Sequence, residues 1–485
     1  MSTTQVDEAP LLPSERSDDT TQRKTRKLDR VQLLLILLVQ LTEPIAATVI
    51  FPFVNLFVGE TGITGGDERK TGYYAGVIES VFFVTESVTV YHWGRASDVY
   101  GRKPVLLLGL LALTMATLGF GLSRTFWSMV VFRSIQGICN GNIGVAKSVM
   151  AEISDTTTIV YVFSTIIPMW VTGCTLGPII GGFLARPAEH WRLFDAHFWR
   201  VHPYFLPCLA TASFVFLMWG ATMIFLKETN PVILKAKGRR QQTDGENPVL
   251  SQESQNYGTL NTATSSDPTT EIPPPPDRIF TKGTMIPIAN LGFHAFMAQC
   301  CYVLNPLVLS TSVKLGGLGL NPYEIGLILG TWGALNGLLQ VMCSAWIIKK
   351  LGAKRTYMLT FGGQIFSLLC LAAIGVLVQK EGVTVLVKAL LVLYFCLLTL
   401  FSTAYTSVYI FVIDSANERT LGSINGLAQM VASVLRGVAP VLASSLYSVS
   451  LEQKLLGGTF VYWVLISITL MGIFTSSKLP NQFKA

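Results

Sequence analysis

Apolar and polar stretches alternate along this chain, and the apolar ones share a length. A bilayer's hydrocarbon is crossed by about 20 mostly apolar residues in a helix. Such runs predict spans at 31–58, 73–93, 104–123, 126–150, 159–185 and 204–226. A second set is predicted at 284–312, 323–347, 356–378, 383–413, 424–447 and 457–477. Between the sets, Lys227 to Thr281 is polar, with "TDGENPVLSQESQNYGTLNTATSSDPTT" followed closely by "PPPP". Ser, Thr, Gln, Asn and Pro dominate there, and such a segment buries too little apolar surface to fold. The pattern predicts an all-α membrane protein, with twelve transmembrane helices in two pseudo-symmetric six-helix bundles. Its expected divisions are a disordered N-terminal tail (1–30), a first bundle (31–226), a disordered linker (227–283), a second bundle (284–477) and a C-terminal tail (478–485).

Composition supports this reading. Of 485 residues, 50% are hydrophobic and only 13% charged, with mean hydropathy +0.49. Soluble domains carry about 25% charged residues, so a soluble chain of this composition lacks a surface. The polar first thirty residues do not fit a cleavable signal peptide. All eight cysteines lie in apolar runs without zinc spacing, as buried thiols would. No phosphate-cradling Gly-x-x-x-x-Gly-Lys-Ser/Thr loop is present, and no nucleophilic or metal-ligand cluster. The chain is therefore read as a transporter driven by a gradient. It is expected to be no enzyme, to need no cofactor or metal, to bind no nucleic acid and to act as a monomer in the lipid bilayer.

Charge sets the expected orientation. With both termini cytoplasmic, about two-thirds of the 36 basic residues fall on that side and about ten on the other, as the positive-inside rule requires. The long external loop "RPAEHWRLFDAHFWRVHP" carries His190, His197 and His202 at irregular spacing, read as solvated interfacial side chains. Near the start, "DEAPLLP" has Asp7 ahead of Leu11-Leu12, the pattern of an acidic dileucine sorting signal; a plasma or a vacuolar membrane both fit. The basic residues Arg23, Lys24, Arg26, Lys27 and Arg30 fit topology setting or attraction to anionic lipid.

Charges inside the spans are the candidate chemistry, because bare charge in lipid costs several kcal/mol. In the fourth span Arg133, Gly137, Asn140, Gly144 and Lys147 recur at helical spacing on one face. Small residues there allow close helix approach. Arg133 needs a partner or a wet cavity, either for function or as a clamp between helices. Glu43 lies mid-span in the first helix, and Glu79 and Glu86 share a face of the second. Burial disfavours an ionised carboxyl and a nearby cation restores it, so a carboxyl alternating between those surroundings can load and release a proton. Glu43 is the leading carrier, then Glu86; Glu79, nearer the external end, is a gate candidate. For the substrate cavity the candidates are Gln136, Asn140, Asn290, His294, Trp332, Tyr405, Tyr409, Gln429 and Arg436, with Asn425 on the same face of span eleven. Packing or lipid contact is the alternative for the tyrosines and Trp332. Arg436 would hold an anionic group or balance a glutamate.

Between spans two and three stands "YHWGRASDVYGRKPV". Its "GRASDVYGRK" resembles the loop motif of the major facilitator superfamily, through Gly94, Asp98, Gly101, Arg102 and Lys103. "RSIQG" in span four matches that family's Arg-x-x-Gln-Gly element. "GCTLGPIIGG" in span five matches the Gly-Pro element of its drug:proton antiporters, through Gly173, Gly177, Pro178, Gly181 and Gly182. "TEPIAATVIFPFV" and "GYYAGVIESVFFVTE" look like fungal members near the zinc-induced-facilitator-like and tetracycline-antiporter branch, although this linker lacks the histidines of the plant zinc-related members. Two repeated bundles are how such secondary transporters are built. The resemblance implies a proton-coupled antiporter exporting a small organic molecule, a drug or secondary metabolite. It implies that Asp98 and Arg102 latch the two halves near the start of span eleven in the outward-facing state, and that the span-five element seals the halves against leakage. Two other readings stay open: a vacuolar transporter of metal chelates or organic acids, and a non-transporting sensor on a transporter fold.

Overall fold

Helix follows the apolar runs along the described residues of this computed structural model, which are 29–141, 143–154, 162, 165–230, 233–234, 280–415 and 421–480. The dileucine stretch, the basic run from Arg23 to Lys27 and most of the linker lie outside them, as does the side chain of Asn425. Helices α1 (Arg30–Thr48) and α2 (Val54–Glu60) fill the first predicted run, α3 (Thr71–Tyr100) the second and α4 (Arg102–Gly121) the third. The fourth holds α5 (Phe126–Asn140) and α6 (Ile143–Glu152), the fifth α7 (Ile166–Leu184) and the sixth α8 (Phe205–Phe225). The second half comprises α9 (Lys282–Ser310), α10 (Pro322–Leu351), α11 (Ala353–Gly362), α12 (Gln364–Glu381), α13 (Val385–Asp414), α14 (Leu421–Glu452) and α15 (Phe460–Ser476). Among the described residues eight stretches are long and apolar enough to cross a membrane, α11 and α12 taken together being one of them; α7 and α15 are shorter apolar helices. The polar α3 and the broken α5–α6 pair are not among the eight.

The ends are capped by side chains that the sequence supplies. Asp29 accepts from the Val31 and Gln32 N–H groups at the start of α1. Asn321 and Glu324 form a reciprocal capping box at the start of α10, satisfying N–H groups that the helix leaves free. Three predicted spans are interrupted among the described residues, the one at 356–378 only by Gly363 between α11 and α12. The run at 31–58 stops being helical after Thr48, and Pro52 supplies a reason, since the residue before a proline is steered out of helix. The run at 126–150 breaks at Gly141, where α5 ends.

Each half packs mainly on itself, and the halves meet along α3 against α14 and α7 against α10. They meet only toward one face, opposite the one where α1 begins and α15 ends. Buried positions of α3 run from Thr71 to Phe83 and thereafter include only Ser97. Those of α10 run from Pro322 to Asn336 and then stop. Backbones touch at the closed end: a Cβ on Gly182 would lie 2.6 Å from Gly326 Cα. Polar bonds cross there too. Asn55 donates to Ser310 Oγ at 3.0 Å, Tyr73 to Glu452 at 2.8 Å, and the Val441 N–H to Ser80 Oγ at 3.0 Å. Toward the face of the termini the same helices splay, and Val341, Met342 and Trp346 of α10 are exposed.

Overpacking a tight contact costs about 1–3 kcal/mol, which shifts a two-state equilibrium roughly 5–150-fold. Gly182→Val should therefore disfavour the state closed at this end. Maleimide labelling of a cysteine introduced by Ser344→Cys, on the splayed side, should slow in that background; unchanged labelling would show that the contact does not set the state.

Candidate functional site

The splayed helices enclose a cavity of about 750 Å³ between the halves. Its first-half wall carries Glu43 from α1, Glu86 from α3 and Lys147 from α6. Its second-half wall carries Arg436 from α14, His294, Tyr302, Trp332 and Tyr405. Glu43, Glu86 and Arg436 each sit about 20 Å from an end of their helices, at 1.5 Å rise per residue, so these three charges lie at mid-depth, and Lys147 lines the same cavity. Glu43 interacts electrostatically with Glu86, Lys147 and Arg436. None of the four makes an ion pair within 4.0 Å among the described residues. Arg436 instead lies over the Trp170 ring at 5.4 Å, a cation–π contact. The Oε2 atom of Glu86 is buried without a hydrogen-bond partner.

Of the candidates read from sequence, Glu43, Glu86, His294, Trp332, Tyr405, Gln429 and Arg436 come together on this cavity. Gln136, Asn140, Asn290, Tyr409, Glu79 and Arg133 do not line it. Asn290 is tied near the face of the termini, where Tyr357 donates to its carbonyl at 3.0 Å and Thr475 to its Oδ1 at 3.2 Å. Tyr409 stacks on Tyr405 with ring centroids 5.8 Å apart. Asn140 is buried beside Glu43 and Glu86. The sequence reading missed Gln299, Asn305 and Asn336, because an amide in a span carries no charge that demands explanation.

Arg133 is fully buried and closes the broken first span. Past Thr48 the Phe51 N–H turns back to the Thr48 carbonyl, leaving the Ala46 and Ala47 carbonyls at a helix end. Arg133 donates to both, at 3.0 and 2.8 Å, and to Gln136 Oε1 at 2.8 Å, with Phe82 beneath its guanidinium at 4.3 Å. Water cannot satisfy those carbonyls in a bilayer, so a charged side chain does. Glu79 is buried nearby without a direct ion pair to it.

In the span-five element, Gly173 and Gly177 give room to Pro44 and Thr48, and Gly181 to Val49, all in the same half. Another face of the element meets the second half, with Thr175 against Gly333, Ile179 against Gly330, and Gly182 and the Pro178 carbonyl against Gly326. Contact with the second half thus runs along about two turns of the predicted seal, from Thr175 to Gly182.

The loop after α3 is knotted inside the first half. Gly101 adopts a positive φ of 106°, open to glycine at little cost, and a Cβ there would meet Glu228 Oε2 at 2.6 Å. Arg102 pairs with Asp98 at 2.7 Å and Glu152 at 2.8 Å, and Lys103 gives its N–H to Glu228 at 3.1 Å. Gly94 faces open space. Glu152 and Glu228 were not singled out from sequence; their only signal was a carboxylate directly after a span. Partial desolvation pushes the Glu228 carboxyl up, but N–H bonds from Asn230, Arg102, Lys103 and Thr229 outweigh it and hold it below the usual carboxylate value. A carboxylate held down in the folded state stabilises above its ordinary range, and that contribution is lost as pH falls through the folded value. Thermal unfolding of the wild type should therefore drop more steeply than that of Glu228→Gln as pH falls from about 6 to about 3; parallel curves would remove the tie.

Known proteins place the cavity in a family. The chain is 30% identical to "Major facilitator-type transporter psiT2" of Psilocybe cyanescens, over 96% of this chain and 94% of that one. It is 29% identical to "Efflux pump azaK" of Aspergillus niger, over 98% and 95%. A crystal structure of a D-xylose–proton symporter superposes with a TM-score of 0.67 over 94% of this chain and 99% of that one, at 15% identity, a likeness of fold. The model of the Major Facilitator Superfamily matches residues 36–440, and with two half-bundles around one central cavity, the chain is a transporter belonging to that superfamily.

Proposed function

We propose that this transporter is a proton-coupled antiporter that exports a small organic molecule by alternating access, with both termini cytoplasmic. The observation that carries the reading is the pair of carboxyls, Glu43 and Glu86, on the wall of a cavity open to one face only. With both ionised, two negatives stand against Lys147 and Arg436; one proton leaves one against two. A change in charge balance at the seam between two rocking halves biases which state is favoured. A proton upsets that balance by leaving net positive charge, and a ligand that prefers the unprotonated state competes with it, which is the basis of antiport. The relatives named as an efflux pump and a major facilitator-type transporter support export of small molecules. The excess of basic residues on the face of the termini supports the orientation.

Proteoliposomes with an imposed pH gradient test the coupling. Substrate-dependent proton flux is expected across a panel of small organic molecules, and Glu43→Gln should lower it at least tenfold. Flux unchanged in that variant would remove Glu43 as carrier, and no flux with any compound would remove the antiport reading.

The knot supplies a second test. In this state Asp98 is two-thirds exposed and pairs across the Gly101 turn with Arg102. Such an exposed pair contributes about 0.2–1 kcal/mol, so Asp98→Ala should insert and unfold almost normally. If Asp98 also latches the halves in the opposite state, the same variant should transport at least several-fold more slowly. Wild-type transport would remove the latch.

A further inference from the structure

The two walls of the cavity differ in chemistry. Its carboxylates stand on the first-half wall, whereas the second-half wall offers aromatic faces and side-chain amides. Tyr302 and Trp332 stand with ring centroids 6.3 Å apart at 57°. The indole N–H of Trp332 is tied back to Thr399 Oγ1 at 3.1 Å, so its polar edge is already occupied. Around these rings three amides keep an unused atom. Gln299 Nε2 and Asn305 Nδ2 are donors without a partner, and Asn336 Oδ1 is an acceptor without one. All three side chains are more than nine-tenths buried, with 4%, 3% and 6% exposure, and all line the cavity. The Asn305 assignment follows from its neighbour, because Tyr394 donates its hydroxyl to Asn305 Oδ1, which leaves the amide nitrogen for a ligand.

The helix rise fixes their depth. Trp332 lies about 15 Å along α10 from the closed end, and Tyr302 and Gln299 about 12 and 17 Å along α9. Asn336 is about 6 Å deeper than Trp332, and Asn305 about 4 Å nearer the closed end than Tyr302. The donors and the acceptor thus flank one aromatic surface, made by the contacting Tyr302 and Trp332 rings. A molecule that displaces water from this surface must meet these groups or leave them unpaired, which loses affinity. Two free donors require acceptor oxygens on the ligand, and one free acceptor requires a hydroxyl or N–H. An ammonium group brings no acceptor and would leave Gln299 and Asn305 unpaired.

We propose that the second-half wall is the substrate-recognition subsite, and that it takes a planar aromatic molecule bearing carbonyl and hydroxyl oxygens, with its ring packed against the contacting Tyr302 and Trp332 rings and its oxygens on Gln299, Asn305 and Asn336. This rests on the reading of the cavity as the transport site. It divides the labour between the halves: the first exchanges protons and the second reads the organic substrate. Arg436, at the junction, accommodates an ionised phenol at the edge of the same ring.

Binding to the purified full-length chain in lipid nanodiscs tests the subsite without depending on proton coupling. The probes are 7-hydroxycoumarin, planar with a lactone carbonyl and a hydroxyl, and N-methylquinolinium, a planar cation of similar size without an oxygen. Calorimetry should give 7-hydroxycoumarin an affinity at least tenfold above N-methylquinolinium. Gln299→Leu should weaken 7-hydroxycoumarin about tenfold, or about 1.4 kcal/mol, and leave N-methylquinolinium unchanged. Asn336→Ala, which breaks no side-chain hydrogen bond among the described residues, gives a second readout if Gln299→Leu lowers the unfolding temperature, and should weaken 7-hydroxycoumarin several-fold. Tighter binding of the quinolinium, no binding of 7-hydroxycoumarin, or binding indifferent to both variants would overturn the assignment. Coumarin binding that responds to these variants while proton flux stays absent would instead overturn the antiport reading and leave the subsite standing.

Discussion

Backbone touching backbone at one end of the molecule is the contact on which the other features depend. Helices can approach so closely only where side chains are absent, and Gly182 and Gly326 provide that point between α7 and α10. Gly72 and Gly76 do the same for α3, fitting beneath Ser444 and Ser448 of α14. Because the halves are pinned at this end and helices are stiff, they must diverge at the other. The divergence creates the cavity, opens it to the face of the termini, and places the seam of the two halves at the level of Glu43, Glu86, Lys147 and Arg436. Hydrogen bonds such as Tyr73 to Glu452 and Val441 to Ser80 reinforce the pinned end.

The bilayer then explains which charges are structural and which face water. Arg133 and Lys147 occupy the same predicted helix face, yet they end in different surroundings. Arg133 is consumed by two carbonyls freed where the first span breaks, by Gln136 and by the Phe82 ring. Fixed in that way, it ties span four to span one. Lys147, beyond the break at Gly141, lies on α6 and reaches the cavity. The interruption between α5 and α6 thus separates a clamp from a group exposed to the transport route. A similar economy governs the loop after α3, where Glu228, directly after the last helix of the first half, accepts N–H groups at the start of α4. The first residues of the predicted linker, Lys227 to Asn230, thus differ from the disordered expectation, because Glu228 and Asn230 are bound to the loop after α3.

Chemistry in the cavity follows the division into halves. Carboxylates project from α1 and α3, and amides and rings from α9 and α10. Gln40 and Trp170 also line the first-half wall, so the sharpest difference is that both cavity carboxylates stand on that wall. Under the proposed alternating access, rocking of one half against the other would change the distance between them, so that a proton on one wall affects a ligand on its neighbour without touching it.

Much of this was written in the sequence, for definite reasons. Hydrophobic run length is imposed by bilayer thickness, so the helices and the division into two sets followed from the order of apolar residues. The cost of charge in lipid marked Glu43, Glu86, Arg133 and Arg436 as needing an explanation, and the loop and span-five patterns carried the family. Proline and glycine could mark Pro52 and Gly141 as break points, but an apolar run shows no break by its length. What one chain's order could not supply was which residues from distant helices face each other. Glu43 and Glu86 meet Arg436 across nearly 400 residues of sequence, and Gln299 and Asn336 flank one aromatic surface only because α9 and α10 converge. Asn290 and Tyr409 have the same residue types as cavity members and lie outside it. The sequence by itself determined the spans, the buried charges and the family, because hydropathy and local motifs are properties of neighbours along the chain. Only the tertiary structure decided that Arg133 is a clamp, that Glu228 caps the loop and that the cavity has an ionic and an aromatic wall, because helix rotation and tilt are set by packing between segments far apart in sequence.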